Sequence, residues 1–347
     1  MKVYELNIEV VTPLIVARPL AGNIVRHETS YISGQTIRGA FLFNAYIKGM
    51  KDRVENESKR PTLIFHPAYP IIDGRNTVPA HPFIYKCKVC GMVMDHLPAL
   101  FKENFDLTRA PPPDTCPGGH KFAMKSLGGG LVIKRDNGFI SAEGIKYVRV
   151  ENVGMSKKFR TSEVGMIYNY ICIAPGQRFR SLIVDVGEDN LELLGYRVGQ
   201  PFRLYLGRGS TRGLGHVEMR ITELGMECLT KEVERKVSDS PSHLLLLAKA
   251  PIFSVRYVEG SAMPSLHHEI PPLTYKEGWI PKTIFYSGFS LTSRLPKAKL
   301  LCASPGSLYH YSLPTKSNDD LIDKLVKVAL IGLPPHNHLG LNLLEVL

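Results

Sequence analysis

A chain whose second half repeats the first in order is constrained to fold twice the same way, and four echoes recur here in sequence. Cys172-Ile-Ala-Pro175-Gly176-Gln-Arg-Phe179 returns as Cys302-Ala-Ser-Pro305-Gly306-Ser-Leu-Tyr309 at identical spacing. Asn7-Ile-Glu-Val-Val-Thr-Pro13-Leu-Ile, a strand leading into a proline, is answered by Leu244-Leu-Leu-Leu-Ala-Lys-Ala-Pro251-Ile-Phe. The short helix expected near Asp189–Leu194 has a counterpart opened by Ser317-Asn-Asp-Asp, with Leu321, Leu325 and Val328 on one face. Leu206-Gly207 and Leu214-Gly215-His216-Val217 match Ile331-Gly332 and Leu339-Gly340-Leu341-Asn342, the outer glycines standing eight apart both times (215 − 207 and 340 − 332).

Each unit then reads strand, helix where present, hairpin, helix, glycine loop, strand. That is an α+β pattern of tandem duplicated ferredoxin-like (RRM-like) domains. In the first copy, residues 2–11 alternate as a strand. Ser33 caps a helix to about Lys48, with Ile37, Ala40, Phe41, Asn44 and Ile47 at helical spacing. Its first turn carries Arg38 beside free N–H groups, a place for a phosphate, although an ordinary amphipathic helix explains it equally. Tyr168–Ile173 and Phe179–Val184 read as a hairpin about the turn Ala174-Pro175-Gly176-Gln177. The boundaries expected are an N-terminal domain at 1–230, a polar linker at 231–242 and a C-terminal domain at 243–347.

The first copy is interrupted at about 65–157 by a proline- and glycine-rich insertion with weak periodicity. It carries Cys87-Lys-Val-Cys90 and, after 25 residues (116 − 90 − 1), Cys116-Pro-Gly-Gly-His120. Three thiolates and an imidazole at this spacing match a tetrahedral structural Zn2+ site with no open position. A loop-rich segment without its own core often needs such a staple. Cys172, Cys228 and Cys302 have no partner spacing and are expected to be buried thiols.

The loop Leu206-Gly-Arg-Gly-Ser-Thr-Arg-Gly-Leu-Gly-His-Val217 interleaves Gly207, Gly209, Gly213 and Gly215 with Arg208 and Arg212. Glycines permit a nest of amide donors and arginine adds bidentate phosphate recognition, but a long turn with incidental charge has the same composition. It is neither a P-loop nor a dinucleotide fingerprint: no lysine and hydroxyl follow the glycines, and Arg212 stands where a third glycine belongs. Because the second copy keeps glycines and lacks the arginines, the arginines are the candidate phosphate ligands and the outer glycines a requirement of the fold. Forty-three basic against 32 acidic side chains, a net +11, favour a polyanionic partner. No apolar run reaches the ~20 residues of a membrane span, and the N-terminus alternates rather than forming a signal peptide, so a cytoplasmic location is expected.

Read together, Tyr31-Ile-Ser-Gly-Gln-Thr-Ile-Arg38-Gly39-Ala40, Asn169–Phe179, Leu206–Val217, Tyr286-Ser-Gly-Phe289-Ser with Leu295-Pro296-Lys297, Pro305-Gly306-Ser307 and the closing Gly340-Leu-Asn resemble the CRISPR-associated RAMP superfamily. Asn76–Pro82 also fits. The nearest resemblance is to the large two-domain RAMP subunit of type III-D effector complexes, related to the subunit that binds the crRNA 5′ handle. Ser33 replaces the family's usual proline, and the second glycine loop is degenerate. The resemblance implies a non-catalytic RNA scaffold that holds crRNA near its repeat-derived 5′ tag. Its partners would be the large polymerase-like subunit and backbone RAMP subunits, with target RNA nearby. It carries over, as RNA-binding residues, Arg38, Gly207, Arg208, Gly209, Arg212, Gly213 and Gly215; charge alone adds Lys157, Lys158 and Arg160.

Two rivals stay open. A metal-independent ribonuclease would use His27 with Arg26, or His216 beside Arg212, as acid/base and cation. The carboxylates available to a metal nuclease are the scattered Asp73, Asp136 and Asp185. A purely protein-binding scaffold would turn the basic charge toward acidic subunits. Of Tyr31, Phe159 and Tyr205 the sequence does not single out one to face RNA, since each is more often a core residue.

Overall fold

Alternation in Lys2–Val10 puts Tyr4, Leu6, Ile8 and Val10 on one face, and all four are buried. In the computed structural model, which describes residues 1–16, 24–26, 30–102, 112–135, 138–155, 161–187, 189–239, 243–256, 265–290, 295–313 and 319–347, this strand is central to the first of two units. That unit gathers Val3–Gly74 and Glu143–Glu223. Its main sheet runs in the order Tyr69–Ile72, Arg178–Asp185, Lys2–Val10, His216–Leu224, Pro201–Tyr205. Leu63–Phe65 and Tyr69–Ile72 pair with opposite ends of Arg178–Asp185, as one interrupted strand.

The helix Gly34–Ile47 forms where expected. The Ser33 hydroxyl accepts the Thr36 amide at 3.4 Å, a cap typically worth about 1 kcal/mol. Ile37, Phe41 and Ala45, on one stripe, are fully buried. Phe41 meets Phe65 and Tyr196 at ring-centroid distances of 4.9 and 4.5 Å. The Tyr196 hydroxyl donates to the Phe41 carbonyl at 2.7 Å and accepts from Asn44 at 3.1 Å, which ties helix to sheet. Burial pushes this phenol up to about 12.

The hairpin expected about Pro175-Gly176 does not form. Ser162–Ile173 pairs with Tyr147–Met155 in a separate sheet completed by Ile24–Arg26, while Arg178–Asp185 enters the main sheet. The turn is a corner between sheets because the first strand takes both sides of it. The Gly176 amide donates to Val10 and the Val10 amide to Gln177 (2.7 and 2.9 Å), while Leu14 and Ile173 exchange both backbone bonds.

The second unit comprises Arg75–Ala142 and Leu224–Leu347, so the cysteine-bearing segment packs with the C-terminal residues. Its sheet runs Thr274–Trp279, Leu308–Ser312, His243–Ala248, Leu344–Val346, every pair antiparallel. The corner recurs here as well: Leu300–Ala303 pairs with Thr283–Tyr286, and Leu308–Ser312 joins the four-stranded sheet. Gly306 donates to Ala248, Ala248 to Ser307, and Ile252 and Ala303 exchange both bonds, repeating the first unit's set. Where the first unit has Gly34–Ile47, the described residues of this region, 265–273, form no helix. Tyr309 and Tyr311 hydroxyls hold them by the carbonyls of Leu266 and His268, at 2.8 and 2.7 Å.

Within the insertion, Arg75–Pro79, Leu131–Arg135 and Gly138–Ser141 pair in succession, and Ile84–Cys87 lies between Val93–Asp95 and Met124–Ser126. Phe83, Tyr85, Leu97 and Leu100 share a core with Leu308, and Trp279 packs edge-on to Phe83 at 5.4 Å. Residues 231–238, the start of the linker expected at 231–242, belong to the helix Met226–Ser238. Val233 and Val237 are buried one turn apart, while Lys231, Glu232, Glu234 and Arg235 remain partly or fully open to solvent. This helix packs on Asp319–Leu330, whose Leu321, Leu325 and Val328 are buried as expected; Ser317 and Asn318 lie outside the described residues. Cys172 and Cys302 are buried thiols, burial raising Cys172 to about 11, but Cys228 is exposed. No helix among the described residues is long and apolar enough to cross a membrane.

Candidate nucleic-acid interface and metal-ligand cluster

Four left-handed glycines bend the loop after Tyr205: Gly207, Gly209, Gly213 and Gly215 have φ of 77°, 83°, 76° and 76°. Two of them also sit against backbone. A Cβ on Gly207 would lie 2.1 Å from the Ile15 carbonyl oxygen, and one on Gly215 2.1 Å from that of Leu206. Between them Ser210–Arg212 makes one 3-10 turn. The anion nest expected of these amides is largely used up within the fold. Leu206 donates to Gly215, Arg208 to Ile15, Arg212 and Leu214 to Gly209, Gly213 to Ser210, and Gly215 to Pro13. The loop therefore presents charge through side chains. Arg208 and Arg212 are both exposed, and the Arg212 guanidinium donates to the Tyr170 hydroxyl at 3.0 Å.

The second unit repeats four of these loop bonds, in a register different from the one read in sequence. His336 and Gly340, both left-handed, bracket the 3-10 turn Asn337–Leu339 as Gly209 and Gly213 bracket Ser210–Arg212. Leu333 donates to Asn342 as Leu206 does to Gly215, and Asn342 to Pro251 as Gly215 does to Pro13. Gly340 thus answers Gly213, and the counterpart of Gly215 is Asn342, at φ 60°. Asparagine tolerates that conformation better than most side chains. Its side chain also fills the loop: Oδ1 accepts the Phe253 amide at 2.7 Å, and Nδ2 donates to the Leu333 and Pro335 carbonyls at 2.9 Å.

Arg38 is a correction. Its side chain is only 10% exposed and turned inward, where it donates to the carboxylate and the carbonyl of Glu57, each at 2.9 Å. The Glu57 carboxylate also accepts the Thr62 and Leu63 amides and the Thr62 hydroxyl, so it holds the chain that leaves the helix Lys51–Lys59. Arg38 joins two elements and does not face solvent. Lys157, Lys158, Phe159 and Arg160 lie outside the described residues, as do His27 and Asp136. Asp185 is fully buried and accepts the Gly187 and Leu191 amides and the Asn190 amide group, which makes it a capping residue; Asp73 sits in a left-handed turn. Tyr31 is buried against Tyr69, whereas Tyr205 is 53% exposed and its ring lies 5.3 Å from that of His216.

The four predicted metal ligands come together. The ligand atoms of Cys87, Cys90, Cys116 and His120 all lie within 4.8 Å of one another. Cys90 Sγ and Cys116 Sγ are 3.8 Å apart, and His120 Nδ1 is 3.3 Å from Cys116 Sγ and 3.9 Å from Cys87 Sγ. Bond lengths of about 2.3 Å to sulfur and 2.0–2.1 Å to nitrogen place tetrahedral ligands of zinc roughly 3.5–3.8 Å apart, so the set fits that ion. The local backbone serves it. Gly91 and Gly119 turn with positive φ, the Val89 amide points at Cys87 Sγ and the His120 amide at Cys116 Sγ, both at 3.4 Å. A Cβ on Gly118 would meet Met92 Cε at 2.5 Å. The Cys90 amide, helped by that of Val89 and by the neighbouring thiols, lowers the Cys87 thiol to about 6 against opposing desolvation, the direction a thiolate ligand needs. At Cys90 the Met92 amide acts downward, but desolvation and the sulfurs of Cys87 and Cys116 leave it raised.

The fold is a mixed α/β arrangement of several antiparallel sheets. No protein-family model matches the sequence, and no curated protein matches it. Among solved structures, a chain of the type III-B Cmr-beta complex bound to cognate target RNA and AMPPnP matches 99% of this chain and 99% of its own length, at 13% identity and a TM-score of 0.50. A second structure of Cmr-beta with cognate target RNA matches 94% and 95% at 13% identity and 0.48. A chain of the Csm3-Csm4 subcomplex of the type III-A CRISPR-Cas interference complex matches 89% and 92% at 14% and 0.38. The first likeness extends the shared fold over essentially the whole chain.

Proposed function

We propose that this chain is a non-catalytic crRNA-binding subunit of a type III CRISPR effector complex, built from two ferredoxin-like RAMP domains and stapled by a structural zinc ion. The common sheet order supports the duplication. In the second unit the strands in chain order stand second, third, first, fourth across the sheet, the arrangement of a split βαβ fold, and the first unit keeps that order with Pro201–Tyr205 added as an edge strand beyond His216–Leu224. The corner and loop hydrogen bonds recur with it. Zinc would be held by Cys87, Cys90, Cys116 and His120, tying a segment of short strands to its neighbours. A four-ligand set of this kind supplies folding free energy and leaves no position for substrate.

The observation that carries the RNA reading is the glycine-arginine loop. Its backbone is fixed by internal hydrogen bonds while Arg208 and Arg212 point their charge to solvent. Arginine on a rigid loop is suited to bidentate phosphate contact, and such contacts would make affinity fall steeply with salt. The fold-sharing Cmr-beta chain belongs to a complex bound to target RNA, which agrees with a place beside guide and target in a cytoplasmic ribonucleoprotein with large and backbone subunits. Of the groups a ribonuclease would use, His216 packs on Tyr205 and Arg212 donates to the Tyr170 hydroxyl, while His27 lies outside the described residues.

The test is charge reversal. Arg208→Glu with Arg212→Glu should weaken binding of guide RNA and flatten its salt dependence by about two phosphate contacts, with the melting temperature unchanged. RNA affinity and salt slope equal to those of the unaltered chain would refute the assignment.

A further inference from the structure

Beside the arginine loop lies a feature that phosphate contact does not explain. Tyr205 and His216 face each other as the last paired residues of the edge hairpin before the loop begins. Alternation sends Leu204 and Leu206 into the core, leaving Tyr205 on the outer face with 53% of its surface open. Its ring is tilted 35° to that of His216 at 5.3 Å between centroids, which together make one continuous aromatic surface. The core of this unit is closed without either ring, since the buried cluster includes Leu204, Leu206 and Val217 but neither Tyr205 nor His216.

Charge on this face is arranged around that surface. Two rungs further from the loop, Arg203 grips Glu218 through two nitrogens, each 2.9 Å from the same carboxylate oxygen, which neutralises that acid. On the other side, the chain runs directly from Tyr205 into the loop bearing Arg208 and Arg212. An open aromatic pair between a neutralised carboxylate and two exposed arginines suits an unpaired nucleobase with its phosphates. Bases stack on tyrosine or histidine rings, and arginine receives the backbone.

We propose that Tyr205 and His216 form a stacking platform for one unpaired base of a single-stranded RNA whose adjacent phosphates lie on Arg208 and Arg212. This rests on the RNA reading of the loop and adds the class of ligand: RNA that is single-stranded at this point, engaged without sequence readout. Stacking is indifferent to base identity but requires a base, so the platform distinguishes splayed RNA from duplex.

The experiment uses the full chain and a fluorescein-labelled single-stranded oligoribonucleotide, with the same oligomer carrying an abasic nucleotide at successive positions. Tyr205→Ala should lower affinity about ten-fold with an unchanged salt slope. Tyr205→Phe should bind as the unaltered chain does. One abasic position should cost the unaltered chain a similar factor and cost Tyr205→Ala nothing further. Undiminished binding by Tyr205→Ala while Arg208→Glu loses affinity overturns the platform and leaves the RNA reading standing. Equal loss in Tyr205→Phe and Tyr205→Ala also overturns it, since the hydroxyl rather than the ring would then be responsible. If the unaltered chain binds neither oligomer, alone or within its complex, the RNA reading itself fails.

Discussion

Asn342 offers the sharpest stability test of how the second unit is held together. Fully buried, it closes the second loop with three side-chain hydrogen bonds, to the Phe253 amide and the Leu333 and Pro335 carbonyls, at 2.7, 2.9 and 2.9 Å. Asn342→Gly keeps the left-handed backbone accessible and removes all three. At roughly 1 kcal/mol each, with a further fraction for the added freedom of glycine in the unfolded chain, the cost is about 3–4 kcal/mol. Asn342→Ala loses the same bonds and keeps a Cβ in the left-handed region without the polar side chain by which asparagine tolerates it, at a further cost of about 1 kcal/mol. For a cooperative unit of this size, Asn342→Gly corresponds to a drop in Tm of roughly 6–15 °C. The chain carries a single tryptophan, Trp279, in the sheet of the second unit, so a thermal melt followed by its fluorescence reports on that unit directly. The expected order is unaltered chain, Asn342→Gly, then Asn342→Ala, each less stable than the last. A melt of Asn342→Gly indistinguishable from that of the unaltered chain would refute the role given to this side chain.

Arg38→Ala should destabilise the first unit by about 3 kcal/mol, because the buried Glu57 carboxylate loses its counter-charge, while the folded fraction binds RNA with an unchanged salt slope. Circular dichroism and RNA titration at several salt concentrations read the two effects separately, and a reduced slope would return Arg38 to the phosphate contacts. The chain purified without chelator should carry one zinc, and Cys116→Ser or His120→Ala should lower that to a trace. Because Phe83 and Tyr85 of the same segment pack with Trp279 and Leu308, metal removal should also shift the tryptophan emission; zinc present only in trace amounts would end the staple model. Metal retention should weaken as pH falls, because protons compete with the ion for the three thiolates and the imidazole, and retention unchanged down to strongly acid pH would contradict a thiolate ligand set.

Features written in local chemistry were legible before the structure was known. Ser33 followed by a helical apolar stripe specifies its helix from neighbouring residues alone, and the spacing of Cys87, Cys90, Cys116 and His120 restricts what those side chains can do together. Features decided by distant partners were not. Pro175-Gly176 has the composition of a hairpin turn, yet what the flanking strands pair with depends on Val10 and Leu14, far away in sequence. Arg38 looks like a solvated charge until Glu57, nineteen residues on and in a polar stretch, is folded beneath it. The helix Met226–Ser238 was hidden because two valines suffice to anchor it and charge covers the rest. The loop register slipped by two residues for a related reason: equal glycine spacing aligned Gly340 with Gly215, whereas Asn342 does that glycine's work with a side chain added. Exposed Tyr205 carried a usable signal, since strand alternation across Leu204 and Leu206 already sends it outward.

The most direct test of the central claim places the loop on the guide. A photo-reactive crosslinker at position 208, in a reconstituted type III complex with end-labelled crRNA, marks the nucleotides within reach of the arginine loop. The account predicts crosslinks concentrated in the repeat-derived 5′ tag and diminished when Arg212→Glu is combined with the crosslinker. Crosslinks confined to protein subunits, with none to the guide, would contradict it.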